Sequence, residues 1–414
     1  MTSAELAAAL ILAINAQHFG ATPDRMLDGA PMRHFPSIDL AVIAFPDQGE
    51  PVAANVLFSR DFTGGLTARI EPGFGKVTNV HYLADQRDLQ GNSVAWMPET
   101  DWNTLTWKTL SGRSDQPRFV APYPASLIKL MVLVGVAREI DAGRAAWDSP
   151  WTHANETRTL LDWAESMIVI SSNSATSALV ALLHQTEAIL RGPSGEQFNR
   201  VNAAFTAYGL DTLRLTNTQP NGGWMNRDGA GLGELQMTAW DTARLLWLLD
   251  SDAPPAPWLA TDLPPLLSVP SREHVRKLLE AQALHEVLSS TALAGVPGWQ
   301  AGLPAQLPWR WIRADGTVDT GGQRFPGDVR PVNESAEVRF AHKTGTTENF
   351  VSDAGIVTGL PPARRHYLIA LTSNLGTRYA PTSPGATTWR IPQLAAAIDL
   401  YLKTHLEPVQ AAKR

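Results

Sequence analysis

The chain contains no cysteine. That excludes disulfides, thiolate zinc sites, iron–sulfur clusters and a cysteine nucleophile, and leaves the compartment open. Charge is also scarce: Asp, Glu, Lys and Arg make up 18% of the 414 residues, against ~25% in an average soluble protein. The 34 basic and 40 acidic residues give a formal net charge of -6, and no long basic run occurs. An electrostatic groove for nucleic acid is therefore excluded. No uninterrupted apolar run reaches the ~18 residues needed to cross a bilayer, so no stable membrane span is expected. The ten histidines show no metal-ligand spacing. His285-Glu286 lacks the second histidine of a zinc-protease helix, and Gly229-Ala230-Gly231-Leu232-Gly233 lacks the strand that precedes a dinucleotide loop. Gly192-Pro193-Ser194-Gly195-Glu196 misses the last glycine of a nucleophile elbow. No metal and no organic cofactor is implied.

Apolar residues make up 44% of the chain, enough for a large core. Residues 6–14 are apolar, but Glu5 precedes them and the first basic residue is Arg25. An amphipathic helix fits this stretch at least as well as a leader peptide. Localisation stays open: periplasmic or secreted if a leader has been removed, cytoplasmic otherwise. Asp39–Phe45 and Val52–Ser59 read as a hairpin. Residues 61–119, with Gly64, Gly65, Gly73 and Gly75, read as loops. Leu127–Gly143 is apolar on nearly every face, the pattern of a buried helix. Helical patterns follow at 157–168, 174–185, 236–249 and 271–284. Residues 251–335 hold 11 of the 30 prolines, where an even spread gives about six. Strand patterns return at 337–342, 351–358 and 366–373, and a helix over 392–403 closes the chain. Strands at both ends with helices between predict an α+β architecture, one antiparallel sheet flanked by helices plus an all-helical lobe.

Three short motifs can carry chemistry. Ser126-Leu127-Ile128-Lys129 follows Pro124 at a helix start, and a spacing of three puts Lys129 on the face of Ser126. A lysine becomes a base for a serine hydroxyl when burial and nearby positive charge lower its pKa. Ser171-Ser172-Asn173 lies between two helical patterns; alone it fits a helix N-cap equally well. Lys343-Thr344-Gly345 ends a strand, and alone it fits a strand terminus with a solvated lysine.

Together, Ser-x-x-Lys, Ser-x-Asn and Lys-Thr-Gly in this order resemble the signature set of the penicillin-recognising serine enzymes, the class A β-lactamases and D-alanyl-D-alanine peptidases. Met237–Leu246, Ala301-Gly302-Leu303-Pro304 and Asp353-Ala354-Gly355-Ile356-Val357 are similar to further family segments. The resemblance runs over 121–250, 266–304 and 336–400. It implies a single β-lactamase/transpeptidase-like catalytic unit over 1–414, with an α/β lobe from 1–120 and 336–414 and a helical lobe over 121–335. Insertions then fall at 61–119 and 305–335. The implied activity is a serine hydrolase that forms an acyl-enzyme on Ser126 from a small-molecule or peptide substrate (a β-lactam, amide, peptide or ester). Lys129 would act as base, Ser171 as proton relay and Lys343 as its electrostatic partner. Asn173, Thr344, Gly345 and Thr346 would bind substrate, and the N–H groups of Ser126 and Thr346 would form an oxyanion hole.

The sequence departs from the class A pattern where a glutamate should activate the deacylating water. An ungapped reading of Leu213–Pro220 places Gln219 there. A carboxamide cannot accept that proton, so penicillin turnover should be weak or absent, and Gln219→Glu should raise it. Asp228 or Glu234 would replace the base only in a rebuilt loop. Ser172 in place of the class A aspartate leans toward the peptidases. The alternatives are a D-alanyl-D-alanine carboxypeptidase or transpeptidase, and a sensor or binding protein acylated once. Trp96, Trp102 and Trp107, with Trp309 and Trp311, either form an aromatic rim for a large substrate or pack the insertions onto the body.

Overall fold

A computed structural model describes residues 1–97, 99–379 and 385–407. Six antiparallel strands form the main sheet, in the order Val338–Thr346, Val351–Gly359, His366–Ser373, Ile38–Ala44, Val52–Ser59, Phe62–Thr67. Both ends of the chain thus build one sheet, as the strand patterns suggest. Alternation along the strands feeds two separate cores. Ala41 and Ile43 face the helical lobe, while Leu40, Val42 and Ala44 face the terminal helices. The fold is α+β, an antiparallel sheet flanked by helices.

On one face lie the helices Ser3–Ala16 and Ile391–Leu406. Thr2 and Glu5 cap the first reciprocally, and Leu6, Ala7, Leu10 and Ile14 bury its inner side. The stretch Ser3–Ala21 is long and apolar enough to cross a membrane by length and composition. On the other face sits the helical lobe. Its central helix, Lys129–Asp141, is buried from Lys129 through Ala137, which explains its unpatterned apolarity. Leu160–Val169, Asn173–Gln185 and Val269–Glu280 pack around it, and Ala239–Leu249 packs on the main sheet.

Residues 61–119 are not the loops their glycines suggest. Phe62–Thr67 joins the main sheet, and His81–Ala84, Lys108–Ser111 and Arg118–Ala121 form a second, three-stranded sheet. Gly65 has a φ of +91°, and a Cβ there would meet the Phe58 ring at 2.6 Å. The glycine accommodates a packed ring inside a strand rather than loosening a loop. Two further elements differ from the sequence reading. Residues 157–159 belong to a hairpin strand, because Thr159 and Asp162 form a capping box that starts the helix at Leu160. The helix Arg200–Ala207, too short to show a period, was not legible.

The terminal helix is tied to the sheet by Arg365, whose side chain is fully buried. It donates to both carboxylate oxygens of Asp399, at 2.8 and 2.9 Å, and to Glu337 and Glu407, each at 2.8 Å. Removing it strands Asp399 without its cation. Arg365→Ala is expected to cost roughly 3–5 kcal/mol, read as a lower urea midpoint with an unchanged slope.

Candidate active site

The site is built where the start of the central helix meets the end of the Val338–Thr346 strand. Pro124 opens a 3-10 turn, Ala125–Ile128, that runs into the helix at Lys129. In that geometry residues three apart eclipse, so Ser126 and Lys129 share a side. Ala125 has a φ of +51°, left-handed for a residue with a side chain. The turn is pressed against the strand: a Cβ on Gly345 would lie 2.6 Å from Pro124 O and 2.7 Å from Leu127 N. Ser352 Oγ, on the neighbouring strand, donates to Pro124 O at 2.6 Å. Half-buried Ser126 is thereby set beside Lys343-Thr344-Gly345.

The second motif enters from the junction of two helices. Ser172 is the N-cap, its hydroxyl accepting from Ala175 N at 3.2 Å. The capping reading of this motif is therefore correct for Ser172, while its two neighbours do something else. Ser171, at φ +58°, turns away from both helices. Lys129 Nζ donates to Ser171 Oγ at 3.0 Å, to Asn173 Oδ1 at 2.9 Å and to the Ser171 carbonyl. Lys343 Nζ donates to the same Ser171 Oγ at 3.0 Å and to Thr344 O at 2.7 Å. Lys129 and Lys343 thus converge on the Ser171 hydroxyl, and Asn173 joins the cluster through Lys129.

Both lysines are fully buried. Burial, and then the like charge of Lys343, push Lys129 well below the ordinary lysine pKa. Burial lowers Lys343 to about 7, with Asp353 and Glu286 pulling the other way. Two amines around one oxygen cannot both be ammonium at low cost. Three donations from Lys129 Nζ are those of an ammonium; loss of one proton frees its lone pair, and the Ser171 hydroxyl can then donate to it and pass a proton between the two lysines.

Other expected residues stand outside this cluster. Thr344 alternates with Lys343 along the strand and is buried, and Thr346 is exposed at the strand end. Gln219 Nε2 donates to Asp228 O at 3.0 Å and to Asn217 O at 3.3 Å, so its carboxamide clasps its own loop. Asp228 lies 3.7 Å from Arg227, and Glu234 accepts from Thr216 Oγ1 at 3.0 Å. A carboxylate placed at 219 would face two carbonyl oxygens, so the expectation that Gln219→Glu alone supplies a base is revised on this geometry.

One residue was missed. Trp224, buried in the same loop, sets its ring 5.5 Å from Lys129 Nζ. It walls the amine from solvent, and its π face favours the ammonium. Its only sequence signal was an aromatic residue after Gly222-Gly223 in a polar loop. Trp96 and Trp102 are buried and meet edge to face at 5.6 Å, and Trp102 meets Trp107 at 5.7 Å. They pack among residues 61–119, whereas Trp309 is exposed. Among the described residues no group of three or more His, Asp or Glu side chains could hold a metal.

The model of the beta-lactamase enzyme family matches residues 118–396. The chain belongs to this family. Solved structures similar to it include PBP-A, at 18% identity and a TM-score of 0.41, covering 67% of this chain and 81% of that one. A β-lactamase from Sphaerobacter thermophilus shows 18% identity and a TM-score of 0.42 over 69% and 84%. The TLA-1 extended-spectrum β-lactamase shows 12% identity and a TM-score of 0.48 over 97% and 100%. No curated protein sequence matches the chain.

Gly345 is the narrowest contact in the site. Gly345→Val is expected to push the strand from the Ser126 turn, costing about 1–3 kcal/mol in stability. Labelling of Ser126 by a serine-directed acylating probe should fall by about 100-fold, measured by intact mass against time.

Proposed function

We propose that the protein is a serine hydrolase that acylates on Ser126 with an amide or β-lactam-type substrate and clears ordinary penicillins slowly. The observation that carries this reading is the Ser171 hydroxyl bonded at once by Lys129 and Lys343. Ser126 Oγ attacks the carbonyl carbon and its proton passes to the neutral Lys129 amine. The carbon–nitrogen bond then breaks, and the leaving nitrogen takes a proton from Ser171, which the Lys129 ammonium replaces while the Lys343 charge stabilises the transfer. Asn173, which already accepts from Lys129, holds the substrate amide, and Thr346, exposed at the strand end, binds its carboxylate beside the Lys343 charge. The Ser126 and Thr346 N–H groups stabilise the oxyanion, where one donor is worth roughly 3–4 kcal/mol.

Deacylation needs a base for water, and position 219 offers a carboxamide already bonded to Asp228 O and Asn217 O. This favours a long-lived acyl-enzyme, and with it transfer to an amine, as in a transpeptidase, or a sensor role. Incubation with penicillin G followed by intact mass and peptide mapping is expected to show one lasting adduct on Ser126, absent from Ser126→Ala. Rapid turnover without an adduct, or a label on another side chain, overturns the proposal. Gln219→Glu is expected to lower stability by about 1–3 kcal/mol through the lost loop bonds, without rapid clearance; the adduct's half-life measures this.

A further inference from the structure

Next to Ser171 the protein has a cavity that the reaction above does not use. About 390 Å³ in volume, it lies between one stripe of the Leu160–Val169 helix and Trp311. Asp162, Glu165, Ser166 and Val169 recur at the spacing of a single helix face, and Ile170 continues that wall to the residue before Ser171. The Cα atoms of Ile170 and Ser171 are thus about 3.8 Å apart, across one peptide bond. Ser172 N donates to the Ser166 carbonyl at 2.9 Å, which folds the Ser171 turn back against the same helix end. Ile170 is 36% exposed, an apolar side chain left uncovered at the edge of the catalytic cluster.

Trp311 is fixed across the cavity by hydrogen bonds that lead back to the same helix. Its Nε1 donates to Ala281 O at 3.2 Å, while Ala283 N donates to Val169 O at 3.1 Å and Gln282 Nε2 to Ile168 O at 2.9 Å. Residues 281–283 therefore bond the indole on one side and the end of the helix on the other. Arg310 adds a direct tie: it donates to Glu165 Oε1 at 2.9 Å, with its guanidinium 4.8 Å from the Trp311 ring centre. The charges around the cavity are matched among themselves. Glu165 has Arg310, Arg158 has Glu156, and Asp162 caps its own helix with Thr159. What remains for a ligand is the apolar end, formed by Val169, Ile170 and the indole, beside Ser171.

We propose that this cavity is the subsite for an aromatic group on the departing side of the substrate, and that Trp311 sets its selectivity. The proposal rests on Ser171 as the donor to the leaving nitrogen, because that role places the departing fragment against residues 170 and 171. The helix advances roughly 10 Å from Asp162 to Val169, room for an aryl ring and a short linker. A flat ring there covers Ile170 and meets the indole, a contact between π systems that an alkyl group of the same reach lacks.

Two cephalosporins with the same thienylacetyl side chain test this, one carrying a methyl and the other a dinitrostyryl group on the ring that contains the leaving nitrogen. Ser126 acylation is timed by intact mass for each. Trp311→Ala is expected to lower the aromatic-to-methyl rate ratio by about tenfold and to leave the rate of the methyl compound unchanged. Ser166→Phe, which fills the cavity from the helix side, is expected to lower the ratio in the same way. If Trp311→Ala does not fold, the filled variant decides. An unchanged ratio, or an equal loss for both compounds, overturns the proposal. A second readout needs no acylation. The chain has 14 tryptophans, and fluorotryptophan labelling gives each a fluorine NMR signal, that of Trp311 being the one missing from Trp311→Phe. Free dinitrotoluene is expected to shift that signal in the parent and not in Ser166→Phe; no shift in the parent overturns the subsite. A shift in a protein whose Ser126 takes no adduct overturns the proposed function and leaves the subsite standing.

Discussion

A single hydroxyl oxygen organises this molecule's cleft. Ser171 Oγ has two lone pairs, and two buried amines donate to them, one from the central helix and one from the far end of the sheet. With both lone pairs engaged, the hydroxyl proton is directed to whatever else reaches the oxygen. When either lysine is neutral, the bond to it can reverse and the proton can travel. The backbone is arranged around this point. Ser171 adopts a left-handed conformation at φ +58°, and Ala125 does the same at φ +51° just before Ser126. Such conformations cost about 1–3 kcal/mol each and persist only where the surroundings impose them. Here the surroundings are the Ser172 cap on one side and the Gly345 contact on the other.

The loop over Lys129 is equally constrained, and by a different part of the chain. Gly222 lies against the Asn173–Gln185 helix, where a Cβ would come 2.2 Å from Ser177 O. Asn217 Nδ2 donates to Gly229 O at 2.6 Å, which closes the loop on itself. Arg87 reaches the same Gly229 carbonyl at 3.0 Å, and Asn226 Nδ2 donates to Gly91 O at 3.0 Å. Residues 61–119 therefore brace the loop that presents Trp224 to Lys129. A segment held at both its glycines and its asparagines does not swing a new side chain inward when one residue is exchanged. This is why the bonding of Gln219 matters more than its alignment with a glutamate.

Much of this was legible in the sequence for a physical reason. Ser126 with Lys129, Ser171 with Asn173, and Lys343 with Gly345 are short-range patterns in which residue type and spacing state the geometry directly. The strands at 38–59 and 338–373 were legible because burial on both faces makes them continuous apolar runs. The strand Phe62–Thr67 was not, since Gly65, which admits the Phe58 ring, is with Gly64 a pair that ordinarily marks a loop. Strand alternation sets His342 on the face opposite Lys343, away from the cleft, where it bonds Asp353. What it meets there depends on the register between two strands, and single-strand alternation does not contain that register. Trp224 was missed on similar grounds, because its partner lies 95 positions earlier, at Lys129.

Two buried cations show how the same fold treats charge for opposite ends. Arg365 is surrounded by Asp399, Glu337 and Glu407, which raise its already high pKa, so it stays charged under all conditions. It fixes the terminal helix to the sheet and has nothing to exchange. Lys343 is buried as deeply, yet it donates to a hydroxyl and a carbonyl rather than to carboxylates. Burial brings it to about 7, within reach of a change in its surroundings. An arginine in its place would be a permanent cation that could not give up a proton, and one with three carboxylates would be held as firmly. Of the two side chains, only the compact amine is one that burial can discharge.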